Sequence, residues 1–249
     1  MSKTAKQKTG VVDMLADIRS RWLMPVIMVL MTLQLAACGD KDKEQRQAFN
    51  AFLQGVEQEP GRQLPGLTDQ QKQSFGRYAQ DYAILTGFGQ QLDQALAGSL
   101  TPMLEQVARI RVPQDYLTER ENLRQSTGAL NLLSQQTQTA KVQADNARHA
   151  LKQPEDVQAV YNRVYERVVT KPATAVAAVV PVSISFAQTL VQVGDYLQTQ
   201  GAQVTFNGNG VQFQTQAQVD QYNGMMTQLS SQQQNLATIL KAQPLIAVR

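Results

Sequence analysis

Glutamine is the residue that most limits what this chain can fold into. From Cys38 to Arg249 it supplies 36 of 212 residues, mostly interleaved with apolar residues at helical spacing. Glutamine has good helix propensity and no charge, so the pattern predicts long helices with a neutral polar face. Gln-rich chains can also be prion-like and disordered, but the steady supply of Leu, Val, Phe and Tyr argues against disorder here. We therefore predict an all-α fold, a mainly helical elongated bundle.

Proline, glycine and capping residues divide the chain into helices and loops. Thr68 followed by Gln71 makes a capping box, and Thr215 can cap the last helix. The Lys171-Pro172 pair is expected to end one helix and Pro181 to interrupt the next. The predicted helices cover about residues 44–57, 68–97, 101–110, 116–152, 154–170, 172–200 and 216–241.

One small β-hairpin near residues 203–213 completes the predicted fold. Asn207-Gly208-Asn209-Gly210 is a turn sequence between alternating apolar residues. With its middle two residues as the loop, Val204 pairs with Phe213 and Phe206 pairs with Val211, and all four side chains lie on one face. A lone hairpin is marginal in water, so this face must pack on helices of the chain or on a partner.

The region 172–240 differs from the rest of the chain because its only charges are Asp195 and Asp220. The run from Pro172 to Val193 has no charge at all, which allows two interpretations: a second membrane segment or a buried helix of the bundle. Polar residues and Pro181 in the middle of the run favour the buried helix.

The N-terminus has the three parts of a secretory signal: basic residues, a 14-residue apolar run from Trp22 to Leu35, and small residues before a cut. The run is too short for a spanning helix, which needs about 20 residues. Leu35, Ala36 and Ala37 followed by Cys38, the only cysteine, resemble the lipobox that a lipoprotein signal peptidase recognises. Cys38 would then carry diacylglyceryl and N-acyl chains such as palmitate. Otherwise Cys38 is simply a small apolar residue that ends the segment.

These features predict the domain organisation and the location of the protein. Residues 1–37 form the signal peptide, 38–46 the lipidated cysteine and a tether, and 47–249 a single helical periplasmic domain. Translation starts at Met1 or at Met14, which leaves a shorter basic segment. Gly39 in place of an aspartate favours the outer over the inner membrane under the enterobacterial sorting rule, with the domain facing the periplasm in either case.

Charge and composition exclude several classes of function. The excess of three positive charges lies in the first 37 residues, since the rest has 18 basic and 18 acidic side chains. A neutral domain is unsuited to binding the phosphate backbone, so we expect no nucleic-acid partner. One Cys and one His exclude a disulfide framework and an all-protein Cys/His metal site. We expect no metal and no cofactor beyond the covalent lipid.

No set of residues in the sequence points to catalysis. His149, the only histidine, lies near the end of a long helix, where a cation is favourable. The pairs Tyr78/Tyr82 and Tyr161/Tyr165 fit core packing better than a sugar-binding platform. Two groups remain to be placed: close acids at Glu57/Glu59, Glu119/Glu121 and Glu155/Asp156, and a basic cluster at Arg109, Arg111, Arg120 and Arg124, which is interpreted as a solvated, partly paired helix face or as an anion site.

Three segments resemble a YiaF-like family of uncharacterised enterobacterial lipoproteins: Asp81-Tyr82-Ala83-Ile84-Leu85, Ile110-Arg111-Val112-Pro113-Gln114-Asp115-Tyr116 and Val193-Gly194-Asp195-Tyr196. The resemblance runs over the whole chain after Cys38. It implies envelope attachment through Cys38 and a mostly helical domain, and it carries no activity, substrate or catalytic residues.

We therefore expect a membrane-anchored bacterial lipoprotein that acts without catalysis, as an interaction or scaffold module for an envelope protein partner. Val204, Phe206, Val211 and Phe213 are the predicted partner surface, within the low-charge region 172–240. Two alternatives remain open. One is a helical carrier or sensor of a small apolar or lipidic ligand, and the other is an envelope hydrolase that uses carboxylates.

Overall fold

A computed structural model describes residues 40–243 of the chain. This part is mainly helical and contains one two-stranded sheet. In order, the elements are α1 (40–58), α2 (Asp69–Phe75), α3 (Tyr78–Ala97), α4 (Leu100–Arg109), α5 (Asp115–His149), α6 (Glu155–Tyr165), a π-helical turn (Glu166–Thr170), α7 (Lys171–Gln200), a 3₁₀ turn (Gly201–Gln203), β1 (Val204–Asn207), β2 (Gly210–Phe213) and α8 (Gln216–Ala242). The predicted all-α bundle with a small hairpin is confirmed.

Helix α5 lies at the centre of the bundle, and α3, α4 and α7 all pack on it. At 1.5 Å per residue its 35 residues extend about 52 Å, which makes the fold elongated. Every third or fourth side chain along α5 is buried, from Leu123 through Leu130 and Leu133 to Ala140. Helix α7 in turn lies between α5 and α8.

The charge-free run lies in α7 and forms part of the core. Within residues 40–243, one helical stretch, Glu155–Gln203, is long and apolar enough to cross a membrane, and half of its most apolar window is buried inside the fold. Val176, Val179, Phe186 and Leu190 are at most 4% exposed. Because the apolar residues pack on other helices of the chain, the run is accounted for as a bundle helix.

The predicted helix end at Lys171-Pro172 is wrong. Helices α6 and α7 continue into one another through the π-helical turn, where the N–H of Lys171 bonds to the carbonyl of Glu166, five residues back. Proline cannot donate to the carbonyl four residues before it, and its ring crowds that carbonyl. The wider turn directly before Pro172 lets the helix accommodate the ring without ending.

The predicted interruption at Pro181 is wrong as well, since α7 runs through it. Pro181 is exposed, so the carbonyl that loses its partner lies on the solvent side, where water can bond to it. On either side of the proline, Val179, Val180 and Ser183 are buried against the bundle. Tertiary packing therefore holds the helix together where its local sequence weakens it.

The predicted helix 68–97 is divided into α2 and α3 at Gly76. The capping box that starts it is confirmed, with the Thr68 hydroxyl accepting from the N–H of Gln71 and the Gln71 side chain accepting from the N–H of Thr68. Gly76 has a φ of +54°, which side chains rarely allow. A Cβ there would also collide with the side chain of Gln45 in α1. The break thus lies at a positive-φ glycine that packs against α1, a contact that the local pattern does not reveal.

Helix α1 starts earlier than predicted. Residues 40–46, predicted as a tether, are already helical, and Asp40, Asp42 and Glu44 place acidic charge in the first turns, where it complements the positive end of the helix dipole. Phe49, Leu53 and Val56 then anchor α1 in the core at 3% exposure or less. The described fold therefore begins two positions after Cys38 in the sequence.

Candidate functional site

The predicted lipidation site lies outside the described residues. This applies to Cys38 and to the recognition residues Leu35, Ala36 and Ala37. What the structure does describe is the helix that follows them. In its first turns Asp42 pairs with Arg77 across a 3.2 Å contact, and Gln45 packs against Gly76. The start of α1 is thus fixed to the junction between α2 and α3.

The hairpin has the predicted register. Val204 pairs with Phe213 and Phe206 with Val211 across an antiparallel ladder, and Gly208 adopts the positive φ of the loop. The four apolar side chains lie on one face, all half-buried, whereas their neighbours on the other face are exposed. The apolar face is therefore partly covered by the chain itself.

Phe213 is the hairpin residue most clearly engaged within the chain. Its ring lies between Tyr196 of α7 and Tyr222 of α8, with ring centroids 5.9 and 5.3 Å away. The Tyr196 hydroxyl donates to the carbonyl of Gln218 at 2.9 Å. Burial, followed by the nearby Tyr116, raises the pKa of Tyr222 to about 12. This aromatic cluster holds the hairpin on the two helices that flank it in sequence.

The second and third of the three segments noted in the sequence meet where α5 crosses α7. The Cα of Gly194 lies so close to α5 that a Cβ would be 2.5 Å from the carbonyl oxygen of Tyr116. Beside it, Asp195 pairs with Arg120 at 3.3 Å and with Arg124 at 3.1 Å. Asp115 accepts from the N–H groups of residues 111 and 112 at 2.7 and 2.9 Å, which lowers its pKa. These residues position helices.

The basic cluster is a partly paired surface, as its first interpretation predicted. Arg120 and Arg124 share Asp195, Arg124 also contacts Glu121 at 2.5 Å, and Arg109 lies 3.9 Å from Glu119. The cations of Arg109 and Arg124 are about half exposed, so these pairs are worth little individually. Arg109, Arg120 and Arg124 each contact a carboxylate of the chain, which favours the paired-surface interpretation over an anion site.

The first segment joins α3 to α6. The Tyr161 hydroxyl donates to the backbone carbonyl of Asp81 at 2.9 Å, and the Asp81 carboxylate accepts from Gln153 at 2.7 Å. Burial raises the pKa of Asp81 despite that hydrogen bond and the nearby Arg77. Tyr82 donates to the carbonyl of Pro65 at 2.8 Å and so holds the loop that precedes α2.

The structure places each residue that the sequence singled out for catalysis or metal binding. No set of three or more His, Cys, Asp or Glu side chains among residues 40–243 comes together. His149 is exposed at the end of α5. All four tyrosines of the two pairs are core residues at most 1% exposed, which excludes a sugar-binding platform. Each close acid pair has a member in contact with an arginine: Glu57 with Arg163, Glu121 and Glu119 with Arg124 and Arg109, and Asp156 with Arg46.

Sequence analysis missed a cleft of about 680 Å³ between α3, α2 and the loop 62–67. One wall is formed by α3, which contributes a stripe of four small residues at helical spacing, and the other is the loop with Leu64 and Leu67. Tyr82 and Leu85 form its buried floor. In volume it falls within the range of about 300–1,000 Å³ typical of small-molecule sites.

Two ends of this cleft can be distinguished. At one end lie Gly76 and Lys72, next to the first turns of α1. At the other end Arg62 of the loop pairs with Asp93 near the end of α3. The sequence contains the two walls as an unremarkable Pro/Gly loop and an ordinary helix, and only their packing creates the cleft.

Comparison with known proteins agrees with the resemblance noted in the sequence. A family described as protein of unknown function (DUF3053) matches residues 26–243, most of the chain. The chain belongs to this family. No solved structure matches it.

Relatives of this DUF3053 chain include the uncharacterized protein YiaF of Escherichia coli K12 and the protein of the same name from Shigella flexneri. Each is 46% identical over 215 residues, which covers 86% of this chain and 91% of the relative. The likeness therefore spans the cleft, the α5–α7 crossing and the hairpin. The predicted YiaF-like family is confirmed.

Proposed function

We propose that this DUF3053 protein is a lipid-anchored module of the bacterial cell envelope, attached through Cys38, facing the periplasm and acting without catalysis on a protein partner. The observation that carries the proposal is the succession of lipobox and folded domain. Leu35-Ala36-Ala37-Cys38 follows a basic and apolar segment, and the packed helix α1 is already present at residue 40. Two or more acyl chains give stable attachment where one does not.

The anchor is tested by mass spectrometry of the N-terminal peptide. We expect the mature chain to begin at Cys38 and to carry the lipid mass, with residues 1–37 removed. Cys38→Ser should abolish the lipid mass and leave the leader uncleaved, because no thioether can form. Ala37→Gly is the matched control, since it keeps a small residue before the cut and should be lipidated normally. A wild-type chain that retains residues 1–37 without lipid would refute the anchor.

The partner surface is proposed to include the hairpin and the exposed sides of α7 and α8. Over residues 172–240 the two charges are both engaged, Asp195 with arginines of α5 and Asp220 with the side chain of Gln216 at 2.7 Å. A surface with so little charge suits a partner bound by shape, apolar contact and neutral hydrogen bonds. Val204, Phe206 and Val211 are only partly buried and are the apolar part of this surface.

Brief cross-linking in the envelope, followed by identification of what co-purifies, tests this surface. Phe206→Asp should remove a stoichiometric partner without releasing the protein from the membrane. Phe213 is unsuitable as a probe because it packs on Tyr196 and Tyr222 of its own chain. Gln212→Asp, on the exposed opposite face of the same hairpin, is the matched control. Equal capture by all forms would show that the partner binds elsewhere.

The cleft favours a second function, the carrying or sensing of a small apolar or lipidic ligand. Its walls are mainly apolar and its volume is large enough for such a molecule. A ligand that binds only the folded state stabilises it, so a bound compound should raise the melting temperature, and the increase should grow with the logarithm of its concentration above Kd.

A further inference from the structure

The cleft, called the trench below, runs along α3, where four of its nine lining residues are small and the other five are Gln80, Tyr82, Leu85, Gln90 and Asp93. Ala79, Ala83, Thr86 and Gly89 follow one another at intervals of three or four residues and so lie on one side of the helix. A Cβ added at Gly89 would meet no atom within 4 Å, so the space above it is open. Larger side chains at these positions would fill the trench.

The trench is longer than an extended lipid chain. Its α3 lining runs from Ala79 to Asp93, which is about 21 Å at 1.5 Å per residue. One acyl chain of a membrane lipid spans half of the hydrocarbon core, about 15 Å. The trench therefore has room for one extended acyl chain and part of a headgroup.

The residues at the two ends of the trench differ in a way that fixes its orientation. The Arg62–Asp93 ion pair closes the end at the C-terminal part of α3. At the other end Lys72 is more than half exposed, and its ion-pair partner Asp69 is 92% exposed, so the pair is solvated and readily exchanged. The Lys72 end can thus receive a carboxylate or a phosphate.

The same end lies beside the start of the folded chain. Gln45 packs on Gly76 and Asp42 pairs with Arg77, and both residues of α1 lie within seven positions of Cys38. If Cys38 carries the lipid anchor, the Lys72 end of the trench faces the membrane surface. No long linker intervenes, because α1 is helical from residue 40 onward.

We propose that this trench binds one acyl chain of an anionic membrane lipid, which enters at the Lys72 end with its headgroup beside Lys72. This inference rests on the proposed carrier function, because it assigns a ligand to the cleft. It also rests on the proposed anchor at Cys38, because the anchor brings the cleft close to membrane lipid. The apolar walls contact the chain, and the Arg62–Asp93 pair limits its length.

Photo-crosslinking in cells that express the full-length protein tests the proposal. The probe is a palmitate analogue with a diazirine and an alkyne, which cells incorporate into their lipids. After illumination, the adducts are mapped by peptide mass spectrometry. We expect lipid or fatty-acid adducts on the peptides that carry residues 62–67 and 76–93.

Gly89→Leu should block the trench and reduce these adducts at least about tenfold, which corresponds to about 1.4 kcal/mol. Gly87→Leu is the matched control, because it lies in the same helix, does not line the cleft and also has nothing within 4 Å of its Cβ. It should leave the yield within about twofold. Melting temperatures of both variants establish that each is folded.

Adducts that are absent from the cleft, or equally abundant in folded Gly89→Leu, would overturn the proposal. A crosslink that joins the cleft to the acyl chains on Cys38 would overturn the membrane as source, since the protein's own anchor would fill the trench. Cleft adducts on a chain without lipid at Cys38 would support the ligand and overturn the anchor. The absence of lipid adducts would also overturn the proposal if a non-acyl compound stabilised the wild type and not Gly89→Leu. The protein would then be a carrier of another class of ligand.

Discussion

The close approach of α7 to α5 at Gly194 predicts a measurable cost for the smallest possible substitution. In Gly194→Ala the new Cβ would lie 2.5 Å from the Tyr116 carbonyl oxygen and 3.2 Å from the side chain of Arg120. Ordinary contacts begin at 3.4 Å, so the helices must separate locally by about 0.9 Å. The obstacle is backbone, which cannot rotate away as a flexible side chain can.

Two opposing terms determine the magnitude of this effect. Overpacking in a well-packed interior costs about 1–3 kcal/mol. Alanine gains about 0.8–1.0 kcal/mol over glycine in a helix interior. Because the clash involves backbone on both sides, we expect the upper part of the first range and a net destabilisation of about 2 kcal/mol. For a domain of this size that lowers the melting temperature by about 4–8 °C.

Thermal unfolding followed by circular dichroism checks the prediction against a matched variant. Gly128 lies on the exposed side of α5, and a Cβ there would meet nothing within 4 Å. Gly128→Ala should therefore show the helix-propensity gain alone and raise the melting temperature by about 2–4 °C. If Gly194→Ala instead matches the wild type or is stabilised with Gly128→Ala, the close packing inferred at the α5–α7 crossing is wrong.

Two further predictions concern Asp81 in α3 and Arg167 in the π-helical turn. Burial raises the pKa of Asp81, so its ionisation opposes folding: the cost is absent below the ordinary pKa of 3.8 and appears as the pH rises through the raised value. Asp81→Asn should therefore raise the melting temperature at pH 7 and leave it unchanged near pH 3.5; a lower value at pH 7 would mean that the contacts with Gln153 and Arg77 outweigh burial. Arg167 donates to three backbone carbonyls between residues 56 and 61, at 2.5 to 2.7 Å. Arg167→Leu should cost at least about 2 kcal/mol and speed amide exchange in that loop, and unchanged exchange there would contradict its anchoring role.

The predicted caps show why helix starts could be found from the sequence. The capping box of Thr68 with Gln71 and the cap at Thr215 are confirmed, and the structure adds that Thr215 forms a capping box with Gln218. In both, the partners lie within three residues of one another. The hairpin register followed from the same kind of local information, since the Asn-Gly turn and the alternation of apolar residues fix which side chains pair.

The breaks in helices were predicted less well, because a proline or a glycine has its effect in a context that only packing supplies. Pro172 and Pro181 do not end their helix, since a π-helical turn accommodates the first and solvent satisfies the carbonyl freed by the second. Gly76 does break a helix, because it adopts a positive φ that the sequence pattern of α2 and α3 does not reveal.

The sequence by itself determined the helical class, the neutral surface, the hairpin and the lipobox pattern, because each depends on composition or on residues a few positions apart. Only the tertiary structure decided that Gly194 is a contact point, that Asp195 serves two arginines of α5, and that the loop 62–67 and α3 enclose a cleft. These features join residues that lie from about a dozen to 78 positions apart in the chain. Their proximity comes from the burial of apolar surface in the whole bundle, which no local pattern encodes.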